Sequence, residues 1–166
     1  MEGTVKRQKG FSLIELLIVV AIILIIAAIA IPNLLRSRIA ANEASAVGSI
    51  RTINTAEVTY SSTYGTGFAP LTNLGGPDPC PNPPTPASAC LVDETLSITR
   101  RKSGYRFRTA TPGALGTTAA PNVLYSVTAN PLTVGQTGVR FFFSDESGVI
   151  RFNATAAATS VDAPLQ

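Results

Sequence analysis

Residues Lys6–Pro32 read KRQKGFSLIELLIVVAIILIIAAIAIP. Lys6, Arg7 and Lys9 precede Gly10, and from Phe11 to Ile31 every residue is apolar except Ser12 and Glu15. At about 1.5 Å per residue a helix over this run is about 30 Å long, the thickness of a bilayer's hydrocarbon core. The segment reads as a membrane-spanning helix. Three basic residues stand before it and only Arg36 and Arg38 follow closely, a slight bias that favours a cytoplasmic N-terminus and a chain that lies mostly outside the cytoplasm.

Glu15 is the odd residue in this run. A carboxylate costs about 2.5–3.5 kcal/mol at the bilayer centre and less near an interface, so it calls for a partner. The segment holds no Lys, Arg or His. A cut after Gly10 would give Phe11 an α-amine with a pKa of about 8, charged at neutral pH. That amine lies one turn from Glu15 in its own helix, and in an assembly of parallel helices it can meet Glu15 of a neighbour. Pro32 closes the run: it removes the hydrogen bond to the Ala28 carbonyl and either ends the span or kinks a helix that continues.

The run KGFSLIELLIVVAIILIIAAIAIP resembles the class III signal of type IV pilins and type II secretion pseudopilins, closely from Lys6 to about Pro32 and loosely to about Tyr64. The resemblance implies cleavage by a prepilin peptidase after Gly10, N-methylation of Phe11, a role for Glu15 in assembly, and a kink at Pro32 within a continuous helix. It implies a homopolymeric filament as partner, together with the peptidase, an inner-membrane assembly platform with its ATPase, and membrane lipid before assembly. Two other readings compete. A secretory signal peptide could be cut at Ala28-Ile29-Ala30, but a carboxylate in its apolar core and the length of the run speak against it. A plain single-span anchor gives neither Gly10-Phe11 nor Glu15 a purpose.

Working outward, Ile39, Ala46, Ile50, Ile53 and Tyr60 recur at helical spacing with Val47 beside them. Arg36, Arg38, Asn42, Glu43 and Arg51 are read as lying largely off this stripe. One helix from about Ser12 to Ser62 follows, about 75 Å long. Residues 65–86 then turn rich in Gly and Pro, which argues for a long loop without regular helix or central strand. Cys80 and Cys90, the only two cysteines, close a short loop there. In a chain outside the cytoplasm they read as a disulfide worth about 3 kcal/mol.

The remainder reads as short strands: Gly104–Thr111, Leu124–Ala129, and a hairpin of Val139–Ser144 with Gly148–Phe152 around Asp145-Glu146-Ser147. Three or four antiparallel strands would bury one face on the Ile50, Ile53 and Tyr60 side of the helix. The fold class is thus α+β: a long N-terminal helix, membrane-spanning in its first half, on a small antiparallel sheet. The expected organisation is a leader over 1–10, a transmembrane or filament-core helix over 11–32, its continuation over 33–64, a head over 65–152 and a mobile tail over 153–166.

Beyond the leader the chain carries 10 basic and 9 acidic residues, a net +1, which does not indicate nucleic acid as a partner. With no histidine, Cys/His catalysis and His-based metal sites are excluded, and no cofactor is expected. Arg100-Arg101-Lys102 reads as a solvated turn. Asp145, Glu146 and Asp162 are too few for a calcium site, and the sequon Asn153-Ala154-Thr155 is expected to stay unused. Phe141-Phe142-Phe143 puts aromatics on both faces of a strand, which reads as core burial, the alternative being a strand that meets a neighbouring subunit. The expected function is structural, a type IV pilus subunit, with a pseudopilin and a membrane-tethered binding domain as alternatives.

Overall fold

The computed structural model describes residues 10–111 and 115–165. Residues 1–9 of the expected leader, with Lys6, Arg7 and Lys9, lie outside the described residues. The chain divides into two compact units, Met1–Ser37 and Arg38–Gln166.

Helix α1 spans Leu13–Tyr64 and runs through Pro32. In the first unit its large apolar side chains are exposed all round, from Leu13 at 80% to Ile31 at 65%. An α-helix whose apolar surface meets no other part of its unit belongs in lipid or among other chains.

In the second unit, α1 buries the expected stripe: Ala46, Val47, Ile50, Ile53 and Tyr60 are buried, while Ile39 is only half-buried. Glu43 corrects the sequence reading. It is buried with the stripe, because position 43 fills the seven-residue gap between Ile39 and Ala46. Glu57, at the matching place between Ile53 and Tyr60, is fully buried.

The sheet has five antiparallel strands in chain order, β1 (Arg101–Lys102), β2 (Tyr105–Ala110), β3 (Ser126–Pro131), β4 (Phe141–Asp145) and β5 (Arg151–Asn153). The extra strand comes from Arg101-Lys102, which pairs with β2 and is not a free turn. Ser103 and Gly104, both at positive φ, close this hairpin as the two-residue turn that matches strand twist. A β-carbon at Gly104 would also collide with Thr137. In β2, Tyr105 and Phe107 point into the core and Arg106 and Arg108 out, as alternation requires. Phe142 is fully buried, while Phe141 and Phe143 lie half-buried on the outer face.

The Gly/Pro-rich loop is more ordered than its composition suggests. A single helical turn, α2 (Leu71–Leu74), follows Pro70 and buries both leucines, Pro being well suited to a helix start. A wide π-type turn at Thr95–Thr99 buries Leu96. The tail, expected to be mobile for want of a core pattern, lies against the sheet edge. Ala158 is buried, Phe152 donates its N–H to the Ala163 carbonyl at 3.1 Å, and Leu165 to the Ile150 carbonyl at 2.7 Å. Ties made mostly by hydrogen bonds, with only Ala158 buried and Leu165 packed against the core, carry too little hydrophobic pattern to be read in advance.

Candidate functional site

The chemistry-bearing residues of the first unit gather at the start of α1. Gly10 and Phe11 precede the helix and are exposed, Phe11 at 77%, and a β-carbon on Gly10 would meet nothing within 4 Å. The junction is thus sterically open. Ser12 starts the helix: its carbonyl accepts the Leu16 N–H at 3.2 Å. Glu15 folds back, and its Oε2 accepts the Ser12 N–H at 2.9 Å. Ser12-x-x-Glu15 therefore forms the Glu half of a capping box, the third helical residue satisfying the N–H of the cap. The sequence reading did not make this assignment, although the Ser-x-x-Glu spacing signals it.

Two consequences follow for the carboxylate. It sits at the helix N-terminus, where the aligned peptide dipoles favour negative charge. It also lies on the amide next in the chain to Phe11, the residue whose nitrogen would become an amine on cleavage. Phe11, Leu13, Ile14 and the apolar residues to Ile31 surround it with exposed hydrocarbon. The arrangement offers one anionic handle on an otherwise apolar surface, at the end where a cation can be made.

The second unit holds three ties. Cys80 and Cys90 are joined in a disulfide, with Cα atoms 6.3 Å apart. Glu43 Oε1 accepts the N–H groups of Val139 and Arg140 at 2.8 and 3.1 Å, and its Oε2 pairs with Arg140 Nε at 2.7 Å. Burial pushes the Glu43 pKa up, but those N–H groups and the guanidinium outweigh it and hold the carboxyl below its usual value. Asn42 Nδ2 adds a bond to the Thr137 carbonyl at 2.9 Å. The third tie is Glu57, whose Oε2 accepts the Ala69 N–H at 2.9 Å. Burial raises its pKa to about 7, against the lowering effect of that N–H. The sequence reading passed over Glu57 altogether.

The smaller signals are absorbed by the fold. Lys102 pairs with Asp93 at 2.7 Å, and Asp145 Oδ1 accepts the Ser147 N–H in the β4–β5 turn. Asn153 of the sequon donates Nδ2 to Asp162 Oδ1 at 2.9 Å, while its own Oδ1 accepts the Thr155 and Ala156 N–H groups. Its side chain is committed to holding the tail.

Residues 5–31 match the family described as the prokaryotic N-terminal methylation motif. The chain is 45% identical over 56 residues to the type IV major pilin protein PilA of Myxococcus xanthus, covering 34% of this chain and 26% of that protein. It is 63% identical over 38 residues to the type IV wide pilus major component PilA4 of Thermus thermophilus, covering 23% of this chain and 29% of that one. The chain thus spans little more than a quarter of the length of each relative. No solved structure is matched. By the motif, the apolar helix that carries it and these relatives, the N-terminal segment of this chain is similar to that of type IV pilins.

Proposed function

We propose that this chain is a structural subunit of a type IV pilus, cut after Gly10, methylated at Phe11 and polymerised through the first half of α1. The observation that carries the reading is the apolar surface from Phe11 to Ile31, exposed apart from a half-buried Ala27 and broken by one carboxylate at its N-terminal end. Before assembly this surface lies in the inner membrane as a single span with the second unit outside the cytoplasm; in the filament it packs against the same surface of other copies.

Glu15 sets the register. Released from leader and lipid, the Phe11 amine of one chain is the cation that the Glu15 carboxylate of its neighbour lacks in hydrocarbon, and an unpaired charge there is costly. Burying apolar surface from water contributes about 25 cal/mol per Å², yet lipid already shelters the helix before extraction. Hydrophobic burial alone therefore does not drive polymerisation, and a platform with an ATPase supplies the work. The second unit carries the exposed face of the filament, and its role is structural and not enzymatic.

Two measurements test this. Mass spectrometry of protein from a sheared surface fraction should give a chain starting at Phe11, with one added methyl; a start at Ile31, or an uncut Met1, refutes it. Glu15→Ala should leave the chain cut and membrane-bound but reduce filament yield at least tenfold, and normal yield would sink the assigned role. Loss of protein secretion with surface filaments intact in a deletion strain would make the chain a pseudopilin.

A further inference from the structure

The outer face of the sheet separates its charges. Arg101 lies opposite Arg106 across β1 and β2, and Arg108 follows on the same face of β2. The register then runs from Ala110 to Ser126 and from Ser126 to Asp145, so Asp145 shares that face at the diagonally opposite corner, with Glu146 next to it in the turn. Arg101, Arg106, Arg108 and Glu146 are exposed and Asp145 is half-buried. The ion pairs among the described residues, Lys102 with Asp93 and Arg140 with Glu43, use none of them. Arg151, opposite Phe143 on the edge strand β5 and so beside the acidic corner, donates to the Asp162 carbonyl.

With strands about 4.8 Å apart and a rise of about 3.4 Å per residue, Arg106 and Asp145 are about 17 Å apart, Arg108 is about 12 Å from Asp145, and Arg101 is farther than either. The screening length at physiological salt is about 8 Å. The two corners therefore do not neutralise each other within one chain. From Phe11 onward the chain is nearly neutral, 10 basic against 9 acidic residues, so a long polyanion laid on this face meets the acidic corner as well as the basic one. A second copy, offset along the assembly, meets basic with acidic. A contact between two different patches is also the kind that propagates into an open helical array, and complementary charge sets its register and partner choice.

We propose that the basic corner of one head, Arg101, Arg106 and Arg108, docks against the Asp145-Glu146 turn of the next copy. This rests on the filament reading above. The test uses full-length chain carrying Lys102→Arg and Arg106→Lys, which keeps every charge and leaves a single lysine beyond the leader. Carbodiimide joins that amine only to a carboxylate in direct contact, and the intrachain separation forbids a link to Asp145 or Glu146 of the same copy. Treated filaments should give covalent multimers whose peptides connect position 106 to Asp145 or Glu146. The yield should fall at least tenfold on adding Asp145→Asn and Glu146→Gln. Filaments that form but show no such link, or a link equally abundant in dispersed single chains, overturn the inference and leave the filament reading standing. Absence of any filament fails the filament reading, and the inference with it.

Discussion

Glu57→Gln should stabilise the second unit at pH 8 and do so far less at pH 5. The Glu57 carboxyl is fully buried and keeps one hydrogen bond, from the Ala69 N–H at 2.9 Å. Tyr60 and Tyr125 face it, and burial followed by the Glu57 carboxylate pushes Tyr125 up to about 12. Burial raises the Glu57 pKa from 4.5 to about 7, so between those values the folded chain holds a proton that the unfolded chain releases. Stability therefore falls as pH rises through this window, and the loss is complete above pH 7. A shift of about 2.5 units at about 1.36 kcal/mol each is about 3 kcal/mol. Glutamine is neutral throughout and can still accept the Ala69 N–H, so it removes the penalty without removing the bond. Denaturant titrations of full-length chain in detergent micelles, followed by tyrosine fluorescence at pH 5, 6, 7 and 8, give the difference directly. Every tyrosine lies at position 60 or beyond, so the signal reports on the second unit. A difference between the two chains that does not change with pH, or that grows toward acid, refutes the reasoning.

Arg140→Ala should cost about 2–3 kcal/mol at neutral pH, since it leaves the Glu43 carboxylate buried without its cation; the same titrations measure it. The Glu43 pKa is lowered in the fold, so this tie contributes above the ordinary glutamate range and is lost as pH falls below it, opposite in sign to Glu57. Glu43→Gln should accordingly narrow its deficit as the pH is taken from 7 to 3. Cys80→Ser with Cys90→Ser should lower stability by about 3 kcal/mol under non-reducing conditions and abolish the effect of added dithiothreitol. Gly138→Ala should destabilise the sheet end, because a β-carbon there overlaps the ring and hydroxyl of Tyr105. That ring is fully buried, and its hydroxyl donates to the Arg140 carbonyl at 2.8 Å; a shorter side chain at Tyr105 restoring part of the loss would show that this overlap is the cause.

What could be read in advance follows from where the physics is local. The N-terminal segment was legible because membrane thickness, helix rise and the cost of a lone carboxylate each constrain it through adjacent residues. The alternation of Tyr105 and Phe107 against Arg106 and Arg108 gave β2 for the same reason. Glu43 and Glu57 were not legible by polarity, because a stripe drawn through apolar residues alone has gaps of seven at 39–46 and 53–60. A continuous helix face has no such gaps; whatever stands near their middle must face the core. The acids there could be placed by geometry, but their partners could not: the N–H groups of Val139, Arg140 and Ala69 come from loops 12 to 97 residues away. The same holds for Arg101, which becomes a strand only because Ser103-Gly104 folds it onto Arg106. A carboxylate that appears where a helical stripe should be apolar is thus a sequence-level sign of a buried tie to a loop, and in this chain the two such sites take opposite pKa shifts. Two things differ: Glu57 is the more deeply buried, and Glu43 receives two backbone N–H groups and a guanidinium where Glu57 receives one N–H. Burial alone raises a carboxyl; the depth of that burial, set against the N–H groups and cations that reach it, decides whether the raise survives.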